Sequence, residues 1–215
     1  MNKLTEAIAL AVAAHEKQKL DEDGMPHIVH CMEVMLKVKT WVDNHNAGYQ
    51  SDRIAAALQK YTFEELLIGA VLHDTVEDSE GLVTLKLIED KFGTKVRWLV
   101  DGLTRRGLGE DETKETYKDF IYRAKKDPGT ALIKSADLEH NRGRAFKIKS
   151  ASWRDKLEFK YGVALRVLSS DEPTWEEASW NWTVDKGHSI ADPNGKKIFL
   201  SELDFQALKA TWATA

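Results

Sequence analysis

Three separated segments carry side chains whose types suit chemistry on a cation. In AVLHDTVEDSEG (70–81) an apolar run ends abruptly in His73, followed by Asp74, Glu77, Asp78 and Glu80. In GMPHIVHCMEV a proline loop delivers His30 near the start of a helix, and in ALIKSADLEHNRGRA the residues Asp137, His140 and Asn141 fall near the end of another. Residues four apart stack on a helix, so a further turn past Asp74 sets His73 under Glu77 and Asp74 under Asp78. Three acids and an imidazole would then crowd one helix end, where the backbone dipole already disfavours negative charge. A solvated cap is one account of this run, and a bound cation is the other. Two imidazoles (His30, His73) and two carboxylates (Asp74, Asp137) would make a mixed nitrogen and oxygen site suited to Mn²⁺, Fe²⁺ or Zn²⁺, with positions left for water. Taken singly, His30 also reads as a packed or capping histidine and Asp137 as a solvated acid.

The elements that must position these groups read almost entirely as helices. Apolar residues recur at helical spacing in 4–18, where Leu4, Ile8 and Val12 accompany Ala7, Ala11 and Ala14. A second helix is expected from about His30 to Val42, then a polar, turn-rich link at 43–51 and a short helix at 52–60. Thr62 is a good N-cap for the helix carrying LLIGAVLHD, with Glu64 and Glu65 in its first turn. Further helices are expected at 84–92, 94–103, 113–126, 129–140 and 152–169. Asp-Pro-Asn-Gly between two short apolar segments suggests a hairpin at about 189–200. The seven tryptophans include Trp175, Trp180 and Trp182, which weight the C-terminal part towards aromatic packing. The expected class is thus all-α, a helical bundle over 1–170 with a tryptophan-rich extension, 171–215, containing a short β-hairpin and a helix.

Composition narrows the function classes. Of the 215 residues, 31% are charged and 42% apolar, the profile of one ordinary core with an appendage rather than of a disordered chain. No apolar run approaches the ~20 residues that span a bilayer, and the first segment lacks a small-residue cleavage site. With the single cysteine, Cys31, this reads as a cytoplasmic protein with no internal disulfide. A net charge of −4 argues against a general nucleic-acid binder but leaves room for a small anionic ligand where basic residues gather. Lys19, Arg105, Lys118, Lys134, Arg142 and Arg144 are the candidates to face such a ligand, although each alone also reads as a solvated surface charge.

Five blocks occur in order: AHEKQ (14–18), P-x-I-x-H (26–30), VLHDTVED (71–78), FGTKVRWLVDGLTR (92–105) and IKSADLEHN (133–141). In this combination the chain resembles the HD-domain hydrolases of the RelA/SpoT family, specifically the small alarmone hydrolases, across roughly residues 4 to 168. The resemblance implies an HD-domain helical phosphohydrolase that uses Mn²⁺, with Zn²⁺ or Fe²⁺ as alternatives, to remove the 3′-pyrophosphate of guanosine tetra- and pentaphosphate. Carried over, the metal ligands are His30, His73, Asp74 and Asp137. Glu77 and Asp78 take the acid-base and water-orienting positions, and Asn141 the place of an asparagine that holds the nucleoside. Lys19, Lys134, Arg142 and Arg144 join Asn141 as expected substrate contacts.

The chain departs from that pattern in its loop. The arginine that stacks on the base has no counterpart, since Leu20 stands there beside Lys19, the usual tyrosine of P-Y-I-x-H is His27, and the usual proline after the histidine is Cys31. A lysine holds phosphate as a point charge but does not stack as a guanidinium does. The link at 43–61 is also longer than usual. Two alternatives therefore stand beside the alarmone reading: the same metal chemistry on another phosphorylated nucleotide, such as NADPH or an adenosine alarmone, and a non-catalytic nucleotide-binding module.

Overall fold

Side-chain caps followed by apolar residues three or four apart set most helix boundaries. The computed structural model describes residues 2–21, 24–107, 115–169 and 174–179, together with 190–191 and 197–198. Asn2 accepts from the Thr5 amide at 2.8 Å and opens α1 (Lys3–His15), which buries Ala7, Ala11 and Ala14. After the proline loop comes α2 (Ile28–Asn46), followed by α3 (Asp52–Lys60), whose cap is Ser51. Thr62 and Glu65 cap one another reciprocally at the start of α4 (Phe63–Val71). A single turn, α5 (Thr75–Asp78), precedes α6 (Leu85–Phe92) and α7 (Thr94–Leu103), which meet at Gly93. Gly93 has φ +96°, a region that side chains with a Cβ seldom enter. Thr116 caps α8 (Tyr117–Lys125), and Asp127 with Pro128 opens α9 (Pro128–Arg144). A 3-10 turn (Ala145–Lys147) leads into α10 (Ala151–Ser169).

Residues 66–72 are buried throughout, because α4 is apolar on every side and packs against α1, α2, α7 and α9 at once. The approach to α7 is close: a Cβ on Gly69 would lie 2.8 Å from Leu99 Cδ1 and 3.2 Å from Ile133 Cδ1. This central helix therefore has little freedom to slide, which fixes where its C-terminal residues emerge. A second core joins Phe120 and Ile121 of α8 to Leu138 of α9 and Val163 and Val167 of α10.

The link expected at 43–51 is shorter than the sequence suggests. Helix α2 continues through Asp43, Asn44 and His45, supported by a Lys39 Nζ–Asp43 Oδ2 pair of 2.5 Å one turn apart, and it ends where Gly48 adopts φ +106°. Helix α9 likewise runs on past His140 to Arg144. The expected start of α8 at Thr113 lies outside the described residues. Of the expected C-terminal extension, Trp175 stands edge-on to Tyr117 with ring centroids 5.9 Å apart, and the Trp175 amide donates to the Tyr122 hydroxyl at 2.7 Å. Trp180, Trp182 and the helix expected after the hairpin lie outside the described residues. At the expected hairpin, two-residue strands β1 (Ile190–Ala191) and β2 (Lys197–Ile198) pair antiparallel, and the residues that would join them are likewise outside the described part.

Candidate metal centre

Helix α4 stops one residue before the chemistry begins. Leu72 leaves the helical region at φ −96°, ψ 1°, and Thr75 Oγ1 donates to its freed carbonyl at 2.7 Å, so His73 and Asp74 occupy a tight turn between α4 and α5. That turn swings His73 inward until it is 1% exposed, and its Nδ1 donates to the Ala70 carbonyl at 2.8 Å. The hydrogen bond fixes the tautomer and leaves the Nε2 lone pair facing the acids. His30, on the first turn of α2, is held from behind in the same way: its Nδ1 lies 2.6 Å from Nδ1 of His140, whose Nε2 bonds Glu33.

Four donors converge in front of these imidazoles. His30 Nε2 is 3.2 Å from His73 Nε2, 3.5 Å from Asp74 Oδ2 and 3.3 Å from Asp137 Oδ1. His73 Nε2 is 2.9 Å from Asp74 Oδ2 and 3.8 Å from Asp137 Oδ1. Around an ion with bonds of about 2.1 Å, neighbouring donors lie roughly 3.0–3.4 Å apart. The donor types and spacings fit a divalent cation, and His30, His73 and Asp137 form one of the groups able to hold it.

Electrostatics point the same way. Burial pushes the His30 imidazole down, but hydrogen bonds to Asp137 and Asp74 outweigh it and raise it to about 9. Burial pushes Asp137 up, but the Lys134 charge and then the His30 hydrogen bond hold it below the usual carboxylate range. Asp74 is held low against its burial by His73, His27 and His30. A proton on His30 thus takes the place of the cation at neutral pH, and a metal must displace it. Metal affinity is expected to rise about tenfold per pH unit up to roughly pH 9 and then level off. Binding isotherms across that range check this, and a flat profile would remove His30 from the ligand set.

Glu77 and Asp78 separate, because successive residues of α5 point to different sides. Glu77 Oε1 accepts the Arg105 amide, and burial raises its carboxyl while that amide and Lys134 pull it back. Arg123 holds the chain around Arg105 in place, donating to the carbonyls of Asp101 (3.1 Å), Gly102 (3.2 Å) and Thr104 (2.8 Å) and pairing with Glu115 at 2.8 Å. Asp78 turns the other way, its Oδ2 lying 3.7 Å from His27 Nε2 beside the 3.2 Å contact of Asp74 with the same atom.

Helical periodicity sorts the basic and amide residues of α9. Lys134 Nζ donates to Asp137 Oδ2 at 2.7 Å and Asn141 Nδ2 to Asp137 Oδ1 at 2.5 Å. Arg144, one turn further, pairs with Asp21 and lines a cavity of about 250 Å³ with His27, His30 and Asn141. Arg142 belongs to the other stripe, with Ser135 and Glu139, and lines a separate cavity with Arg53 and Arg166. Lys19 is exposed, and Lys118, half-buried, pairs with Glu176. Three residues were not singled out by the sequence: Glu33, which pairs with His140, and Tyr117 and Lys160. Arg105 Nε and the Tyr117 hydroxyl are buried with no hydrogen-bond partner among the described residues. Lys160, its Nζ 4.1 Å from the Tyr117 ring centroid, is lowered by burial and then by the charges of Lys134 and Arg105. Lys160 thus lies near enough to Lys134, Arg105 and Asp137 for their charges to act on it.

The comparisons with known proteins bear on this arrangement. No family model matches the chain. It is 33% identical over 141 residues to the human guanosine-3′,5′-bis(diphosphate) 3′-pyrophosphohydrolase, covering 65% of this chain and 67% of that protein. The chain belongs to the RelA/SpoT family. A second member, the enzyme of the same description from Aquifex aeolicus, is 30% identical over 65% of this chain, which spans only 17% of that larger protein. The fold agrees with that of a solved metazoan SpoT ortholog described as hydrolysing ppGpp and acting in starvation responses. The match has a TM-score of 0.61 at 22% identity and covers 87% of this chain and 97% of the other. No helix among the described residues of this RelA/SpoT member is long and apolar enough to cross a membrane.

Proposed function

We propose that this chain is a cytoplasmic, Mn²⁺-dependent hydrolase that removes the 3′-pyrophosphate of guanosine tetra- and pentaphosphate, leaving GDP or GTP and pyrophosphate. The observation that carries the reading is the convergence of Asp74 and Asp137 on His30 and His73: each carboxylate lies 2.9–3.8 Å from both imidazole nitrogens, which are 3.2 Å apart. Its support comes from two relatives, human and bacterial, that are named for this reaction.

In this reading the four residues hold the ion, Zn²⁺ and Fe²⁺ being the other candidates. When bound, the ion offsets phosphoryl charge and acidifies water. Glu77, its carboxyl raised by burial, carries a proton between water and the departing phosphate oxygen. Asp78 orients water from the opposite side of α5. Lys134, Arg105 and Lys160 face the polyphosphate, where Arg105 Nε and the Tyr117 hydroxyl have bonds to give. Asn141 and Arg144, beside the cavity of about 250 Å³, hold the nucleoside end.

A second reading, another phosphorylated nucleotide as substrate, is favoured by the loop. Leu20 is 61% exposed where family members place a base-stacking arginine. Loss of one stacked cationic contact is worth about 0.5–2 kcal/mol, so the preference for guanine over adenine should fall by a few-fold to about thirty-fold relative to a member that keeps the arginine. The test compares ppGpp, its adenosine counterpart and NADPH at equal concentration with Mn²⁺. Pyrophosphate from ppGpp is expected, and inorganic phosphate from NADPH with no pyrophosphate from either alarmone would overturn the proposal.

A further inference from the structure

Two of the three positions where the chain departs from its family pattern, His27 and Cys31, bring metal-binding atoms, and the fold sets both against His15. His15 closes α1, His27 immediately precedes α2, and Cys31 lies on the first turn of α2. One ligand atom from each of the three lies within 4.8 Å of the other two. Cys31 Sγ is 3.6 Å from His15 Nε2, and the His15 and His27 rings stand 4.7 Å apart. His15 Nδ1 donates to Gln18 Oε1 at 3.1 Å, which leaves the Nε2 lone pair directed at the sulfur. His15 and Cys31 are buried, at 3% and 0% exposure, while His27 is half-buried and opens the group to solvent. Carboxylate charge is at hand, with Asp78 Oδ2 3.9 Å from His15 Nδ1 and 3.7 Å from His27 Nε2.

We propose that His15, His27 and Cys31 form a second divalent-cation site beside the first, one that takes a borderline-soft ion, Zn²⁺ foremost. Zn–S bonds of about 2.3 Å and Zn–N bonds of about 2.0–2.1 Å at a tetrahedral angle separate sulfur from nitrogen by about 3.6 Å, the spacing found here. A mixed nitrogen and sulfur set selects such an ion, whereas the nitrogen and oxygen set of the first centre also suits Mn²⁺. The thiol gives its proton to solvent as the metal–sulfur bond forms. Water completes the coordination. An ion so placed staples the end of α1 to the start of α2 across the proline loop, and the His27–Asp74 contact of 3.2 Å links it to the first centre.

Cobalt is a direct probe, because a thiolate bound to Co²⁺ gives a charge-transfer band in the near ultraviolet and Cys31 is the single cysteine of the chain. Metal-free protein titrated with Co²⁺ should bind two equivalents and develop that band. Cys31→Ser should lose the band and one equivalent. His27→Tyr, which restores the family residue and so guards against a folding failure of the first variant, should weaken that equivalent by about tenfold or more. Asp137→Asn should keep the band while losing the other equivalent. One equivalent with no band in the unaltered protein would overturn the proposal, leaving a thiol hydrogen-bonded to His15. Loss of the band in Asp137→Asn would overturn it as well, by assigning the sulfur to the first centre. Turnover is not part of the readout, so either failure leaves the hydrolase reading as it stands.

Discussion

Asp137→Asn is expected to strip the protein of its first metal ion and to reduce turnover to background. Asp137, like Asp74, faces both imidazoles, at 3.3 Å from His30 and 3.8 Å from His73, and its second oxygen holds Lys134 at 2.7 Å. The amide removes the charge that balances a divalent ion. Loss of a direct ligand should weaken binding by more than about 100-fold, the upper end of what loss of an outer-sphere partner costs. It also leaves Lys134, 12% exposed, without its paired carboxylate. Breaking a buried pair from one side costs about 3–5 kcal/mol, so the variant should unfold at lower temperature as well. Metal analysis after desalting, thermal unfolding and pyrophosphate release measure the three effects. Full metal content with unaltered rates would remove Asp137 from the centre.

Glu77→Gln should separate binding from chemistry. The glutamine keeps an oxygen to accept the Arg105 amide, so α5 and the metal should stay in place while the rate falls by about 10²-fold or more. The sign of the pH dependence follows from the burial of this carboxyl. Its pKa is raised, so the unaltered enzyme should lose activity as pH falls through that raised value and the carboxylate takes up a proton. The variant should lack that limb. Equal metal loss in Glu77→Gln and Asp137→Asn would make Glu77 a ligand and reverse its role.

The start of α4 was legible because Thr62, with Glu64 and Glu65 after it, announces it. Helices were misjudged where polarity was taken for a turn. The stretch DNHN continues α2 because Val42 is buried beneath it and Lys39 pairs along it, effects of packing and spacing that composition does not register. The four donors could be named because each closes or opens an apolar run. The Glu33–His140 bond joins residues 107 positions apart, and only the packing of α2 on α9 creates it. Arg142, expected with Asn141 as a substrate contact, lies on another stripe of α9, since a step of one residue turns a side chain about 100° around the helix. The stripe Asp137, Asn141, Arg144 was readable from period alone.

The carboxyl of Glu77 is anchored by a main-chain amide rather than by a side chain. Every residue type except proline supplies the same N–H. Replacing Arg105 would therefore remove a cation from the polyphosphate side while leaving the tether of the proton carrier in place. The vulnerability of that tether lies at Arg123, whose guanidinium spans the carbonyls of Asp101, Gly102 and Thr104 next to the amide.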